Sequence, residues 1–98
     1  RGHHVSNVPE FPLVIDNLNL PNTKSLLSAL KSFGVGDDIA KVRNSKAVKQ
    51  GKGKYRNSKY VMRKGPLIIY DNDSQGVKRA ARNLMSVETC HVQRLNIL

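Results

Sequence analysis

The stretch GPLIIYDNDSQGVKRAARNL, Gly65 to Leu84, decides how this chain folds. Leu67-Ile68-Ile69-Tyr70 is a continuous apolar run of strand length, set off by Gly65-Pro66 before it and Asp71-Asn72-Asp73 after it. An apolar run that short, with no polar alternation, is the pattern of a strand buried on both faces of a sheet. Val77, Ala80, Ala81 and Leu84 then recur at i, i+3, i+4 and i+7, which predicts a helix over about residues 75–83. Asp73 or Ser74 is its expected N-cap, because either side chain can accept a hydrogen bond from a first-turn amide. Thr89-Cys90-His91-Val92 reads as the next strand. Strand, crossover helix and strand make a parallel βαβ unit with a right-handed connection.

Working upstream, Leu13-Val14-Ile15 is a third short apolar run and a third expected strand. Asn22 or Thr23 can cap a helix running from Thr23 to Phe33, whose Leu26, Leu27, Leu30 and Phe33 share one face. Gly34 supplies its left-handed stop. Asp37 and Asp38 are expected to cap a second, weaker helix carrying Ile39, Ala40 and Val42. The fold class is therefore α/β, a parallel sheet with flanking helices, three strands in this piece and open on both sides. Residues 1–98 form one partial domain, with a basic segment over 41–66. A first residue that is arginine rather than methionine suggests an excerpt or processed piece.

Charge is the second signal. The net charge is +10 over 98 residues, and its placement matters more than its size. Lys41 to Lys64 holds ten of the seventeen basic residues and none of the seven acids, so the remainder of the chain is neutral. A surface charged only for solubility intersperses both signs. A one-sign block between two apolar elements points to contact with a polyanion. One cysteine excludes an internal disulfide framework and fits a reducing compartment. No apolar run approaches the roughly eighteen residues of a membrane span, and no signal-peptide pattern is visible.

Several catalytic or cofactor readings fail on spacing. Gly51-Lys52-Gly53-Lys54 is not a phosphate-cradling loop, because Tyr55 stands where Ser or Thr is required and no glycine lies five positions before Gly53. Arg56 takes the third glycine position of a dinucleotide fingerprint. Cys90 and His91, adjacent on a strand, point to opposite faces and are not a nucleophile–base pair. His3-His4 lacks further ligands at metal spacing and reads as a tag remnant or a phosphate contact. Asp71, Asp73 and His91 would be the groups of an α/β enzyme remnant, but a strand-to-helix turn explains the two acids more simply. Asn72-Asp73-Ser74 matches a glycosylation acceptor formally, with nothing else pointing to secretion. No cofactor, metal, small-molecule substrate or membrane partner is expected.

The expected site is the basic segment itself. Lys46, Lys49, Lys52, Lys54, Lys59 and Lys64 act as point charges toward phosphates, while Arg43, Arg56 and Arg63 can grip them bidentately. Gly51 and Gly53 allow unusual backbone torsions and close approach to a surface. Tyr55 and Tyr60 can stack on bases or riboses. With few apolar anchors from Ile39 to Val48, this segment is expected to lack structure before it meets its partner. A free-standing nucleic-acid-binding or nuclear-import module is the alternative use of the same stripe.

The choice of RNA comes from a resemblance. RGHHVSNVPEFPLVID is similar to the Gly-His…Val-Pro-Glu-x-Pro-Leu-Val entry of the large-subunit ribosomal protein L4 family, in its archaeal and eukaryotic cytosolic form. GKGKYRN…RKGPLIIYDND resembles that family's Gly-Lys-Gly-Lys-x-Arg-Asn…Arg-Arg-Gly-Pro-x-Ile-Ile-Tyr block. VKRAARNL resembles its Lys-Ala-x-Arg-Asn helix and RLNIL its Leu-Asn-Ile-Leu, in the same order over nearly the whole chain. The resemblance implies a three-layer α/β/α domain embedded in ribosomal RNA, without enzymatic activity, bracing the large subunit beside neighbouring ribosomal proteins. It implies a cytoplasmic ribosome, with nucleolar assembly in a eukaryote, and other chain segments completing the domain. The family's tunnel-lining loop lies upstream of the matching region. Ser58, Lys59 and Tyr60 depart from the family pattern, which has more arginine there.

Overall fold

The structure, a computed structural model, describes residues 2–16, 18–72 and 76–97. Helix α1 (Thr23–Ser32) forms where its leucine spacing places it, burying Leu26 and Leu30. Phe33 is its C-cap and Gly34 turns left-handed at a φ of 88°. Asn22 precedes the helix with extended backbone, but its side chain makes no cap; its carbonyl accepts the Leu26 N–H. Helix α2 (Gly36–Asn44) starts after Val35, so Asp37 and Asp38 lie within the first turn rather than capping it. There they complement the helix dipole, as Lys41 and Arg43 do in the last turn.

Two short strands follow, β1 (Ala47–Val48) and β2 (Tyr60–Val61), paired antiparallel with Ala47 opposite Val61 and Val48 opposite Tyr60. The expected βαβ unit comes next: β3 (Leu67–Tyr70), helix α3 (Val77–Ala81) and β4 (Glu88–His91). β3 and β4 are parallel, in the register Leu67–Glu88 to Tyr70–His91. The core lies between α1 and α3, where Leu26 and Leu30 meet Ala80 and Ala81. Two alanines on α3 allow the helices to approach closely, and Leu20, Ile39, Ile68, Leu84 and Val87 close the rim. No helix among the described residues is long and apolar enough to cross a membrane.

Four expectations shift. Leu13-Val14-Ile15 is not a strand: among the described residues no strand pairs with it, and Val14 is 81% exposed. It belongs to an N-terminal arm of turns and bends, and a cleft of about 710 Å³ is lined by Phe11, Leu13 and Ile15 of that arm and by Leu67–Tyr70 of β3. Second, the parallel pair is not buried on both faces. Ile68 faces the helices, while Leu67 and Ile69 are each about half exposed, because the described residues supply one helical layer only. Third, α3 is shorter than expected and its N-cap is Gly76, left-handed at a φ of 69°; the expected caps Asp73 and Ser74 lie outside the described residues. Fourth, β4 begins one residue early, and Val92 opens a 3-10 turn (Val92–Arg94) in which His91 Nδ1 accepts the Gln93 N–H at 3.2 Å.

Candidate nucleic-acid interface

The basic segment is a hairpin, not the unstructured loop expected of it. Beyond the β1–β2 pairs, the Lys49 N–H donates to the Lys59 carbonyl at 2.9 Å, extending the ladder toward the tip. The tip is a 3-10 turn, Lys52–Tyr55, closed by the Arg56 N–H donating to the Gly53 carbonyl at 3.2 Å. Gly51 leads into it at φ 81° and ψ −176°, a combination open essentially to glycine alone. Gly53 has no such torsion, so only one of the two glycines is needed for backbone shape.

Side chains hold the hairpin where apolar burial does not. Lys46 Nζ lies 4.5 Å and Lys59 Nζ 5.7 Å from the centre of the Tyr60 ring, both within cation–π range. Lys49 Nζ donates to Ser58 Oγ at 2.5 Å. At the base, Ser45 Oγ donates to the Val42 carbonyl at 2.7 Å and accepts the Arg63 N–H at 2.9 Å, tying both hairpin ends to the last turn of α2. The sequence signal for this was two dipeptides, Ala47-Val48 and Tyr60-Val61, too short for any periodicity test.

The hairpin gathers Lys46, Lys49, Gly51, Lys52, Gly53, Lys54, Tyr55, Arg56 and Lys59 into one projection. Arg43 is exposed on α2 before it, and Arg63 and Lys64 are exposed in the connection between β2 and β3, off the tip. Among the described residues two of the ten bases have acid partners: Lys41 Nζ lies 3.0 Å from Asp38 Oδ1, and Lys64 pairs with Glu88. The hairpin bases make no ion pair among the described residues, so their field is not cancelled at short range.

Asp38, expected only as a helix cap, has a role that the sequence reading missed. Its side chain is buried and accepts from His3 Nδ1 at 3.0 Å, the His4 N–H at 3.1 Å and Lys41 Nζ. Burial pushes the carboxyl up; the bonds from His3, Lys41 and the His4 amide outweigh it and hold it below its ordinary value. His3 is therefore a structural partner of Asp38. Nothing local in the sequence links two residues 35 positions apart.

The other candidates have ordinary roles. Cys90 Sγ is 3.4 Å from the His91 carbonyl, and the His91 ring meets Tyr70 edge-on at 5.6 Å, so thiol and imidazole are not partners. Asp71 is exposed at the end of β3, beside the cleft. No group of three or more His, Cys, Asp or Glu suited to a metal occurs among the described residues.

Comparison with known proteins gives the family. The profile of the ribosomal protein L4/L1 family matches residues 5–98. Large ribosomal subunit protein uL4 of Tetrahymena thermophila is 43% identical over 100 aligned positions, covering all of this chain and 24% of that protein. The uL4 proteins of Prunus armeniaca and Candida albicans are 39% and 41% identical, again over the whole chain and over 24% and 27% of their own lengths. The chain thus spans about a quarter of the length of these curated relatives. On this match and on the α/β fold that carries the Gly-Lys-Gly-Lys to Ile-Ile-Tyr block, the chain belongs to the ribosomal protein L4/L1 family.

Proposed function

We propose that this chain is a structural, non-catalytic part of the large ribosomal subunit, binding and bracing ribosomal RNA through its basic hairpin. The observation that carries this reading is the hairpin itself: a tied projection whose lysines and Arg56 meet no acid among the described residues, within the Lys41–Lys64 segment outside which the chain is neutral. Lys46, Lys49, Lys52, Lys54, Arg56 and Lys59 neutralise phosphates at the projection, with Arg43, Arg63 and Lys64 extending the contact along its base. The relatives are large-subunit proteins by name, which supports a place beside ribosomal RNA and neighbouring ribosomal proteins. The ribosome in this reading is cytoplasmic, assembled in the nucleolus if the source is a eukaryote.

The open face of β3 and β4 supports a second part of the reading. A parallel pair with Leu67 and Ile69 exposed, beside an arm with Phe11 and Val14 exposed, is a sheet short of neighbours. Further segments of a uL4 polypeptide complete it, in the same chain or as another.

Filter binding of the 98-residue chain to large-subunit RNA fragments tests the reading. Log K should fall by roughly 0.7–0.9 per phosphate neutralised as log salt rises. Charge reversal at Lys52, Lys54 and Arg56 together should flatten that slope without changing circular dichroism. Co-sedimentation with large subunits through a high-salt wash is expected. Release under that wash would favour a free-standing module.

A further inference from the structure

The two tyrosines of the hairpin stand in different states. Tyr60 lies in β2 opposite Val48, with the ammonium groups of Lys46 and Lys59 both over its ring. The Lys46 contact reaches across from the β1 side of the hairpin, so the Tyr60 ring, 46% exposed, is partly engaged by the fold. Tyr55 ends the 3-10 turn at the tip and is 81% exposed. Lys54 Nζ lies 5.4 Å from its ring centre, a cation over one face that leaves the other toward solvent. In a 3-10 turn side chains at i and i+3 eclipse, which puts Lys52 on the same side as Tyr55. Arg56 follows directly, exposed.

An aromatic ring flanked by three cations at the end of a projection matches one ligand chemistry: a π-face with phosphates on either side of it. The bases of a continuous RNA duplex are already stacked and their faces are covered, and the deep groove admits side chains poorly. Only an unstacked base offers a face. We propose that Tyr55 stacks on an unpaired nucleobase, so that the hairpin tip recognises a single-stranded loop or bulge in RNA rather than continuous duplex. Tyr60 is then a positioning residue that keeps the tip in shape. This inference rests on the RNA-binding reading above and narrows its substrate.

The test uses the full chain and two RNAs of equal length and phosphate count, one fully paired and one with unpaired purines, carrying 2-aminopurine at an unpaired position. The expected results are preference for the second RNA and a change in 2-aminopurine fluorescence on binding. Tyr55→Ala should weaken binding to that RNA on the order of ten- to a hundred-fold and leave duplex binding and the salt slope unchanged. Tyr55→Phe should retain the preference. Tyr60→Ala should weaken both RNAs alike. Equal binding of the two RNAs, unaffected by Tyr55→Ala but still steeply salt-dependent, would overturn the stacking role and leave the RNA reading intact. Absence of salt-dependent binding to either RNA would overturn both.

Discussion

His3 Nδ1 and Asp38 Oδ2 lie 3.0 Å apart, and the His4 N–H and Lys41 Nζ share the other oxygen of the same carboxylate. One buried acid thus seats the arm on α2, and Lys41 also reaches back to the Gly2 carbonyl. The three bonds hold the Asp38 carboxyl below its ordinary value despite burial. A depressed folded pKa means stability that is present above the unfolded value, about 4, and lost as pH falls through the folded one. Urea midpoints should therefore fall in acid below about pH 4, and Asp38→Asn should remove that part of the fall. The difference between the two proteins across pH 2 to 6 is the measurement, and parallel curves would contradict the assignment. Asp38→Ala, which strands the Lys41 charge, should cost about 3 kcal/mol.

The same seat depends on Gly34. A Cβ there would stand 2.3 Å from the Asn7 carbonyl oxygen, and φ is already 88°. Asn7 is held in turn by its side-chain amide, which donates to Asp37 Oδ2 at 2.7 Å. Gly34→Ala should lower stability by roughly 1–3 kcal/mol and open the arm to protease before the rest of the chain is cut. Cleavage at the arm no faster than in the parent would show that Asn7 yields without releasing it.

Elements whose own apolar residues form a continuous run or recur at helical spacing were readable from sequence, even where their partners lie far along the chain. The α1 leucines, the Leu67–Tyr70 strand and its parallel mate fall where periodicity put them, within a residue. Leu13-Val14-Ile15 has the same composition but no strand beside it among the described residues, and an apolar run without a hydrogen-bonding neighbour stays an arm. In the candidate site, the basic residues and their lack of acids were legible as composition. Their arrangement was not, because the hairpin is fixed by cation–π contacts, by Ser45 and by one glycine torsion, none of which leaves a hydrophobic period. The partition of Tyr55 from Tyr60 and the burial of Asp38 are likewise three-dimensional facts, set by neighbours distant in sequence.

Gly51 and Gly53 look equivalent in sequence and differ in the fold. Gly51 sits at φ 81° with nothing within 4 Å of an added Cβ, so its requirement is purely conformational. Gly53 has open space and ordinary torsions. Gly51→Ala should destabilise the turn by about 1 kcal/mol or more and broaden the amide resonances of residues 49–59. Gly53→Ala should leave those resonances in place. A loss of RNA affinity in Gly53→Ala without spectral change would then mark close backbone approach by RNA, and unchanged affinity would mark the position as solvent-facing in the complex.

Lys64 offers the cleanest way to ask how far the contact extends beyond the tip. Its partner Glu88 is the first residue of β4, and both side chains are 58% exposed, so the pair is screened and adds little to stability. The carboxylate nevertheless competes with any phosphate that Lys64 meets, and it places a negative charge beside the approaching RNA. Glu88→Gln should therefore leave the thermal midpoint unchanged and tighten RNA binding several-fold at low salt. That gain should shrink as ionic strength shortens the screening length from about 10 Å at 0.1 M to about 3 Å at 1 M. Lys64→Gln should have the opposite sign, with a smaller effect than Arg56→Gln, whose guanidinium has no acid to leave. If Glu88→Gln changes affinity no more than a substitution at Asp71, then the RNA footprint ends at Arg63 and the β3–β4 edge faces another part of the assembly.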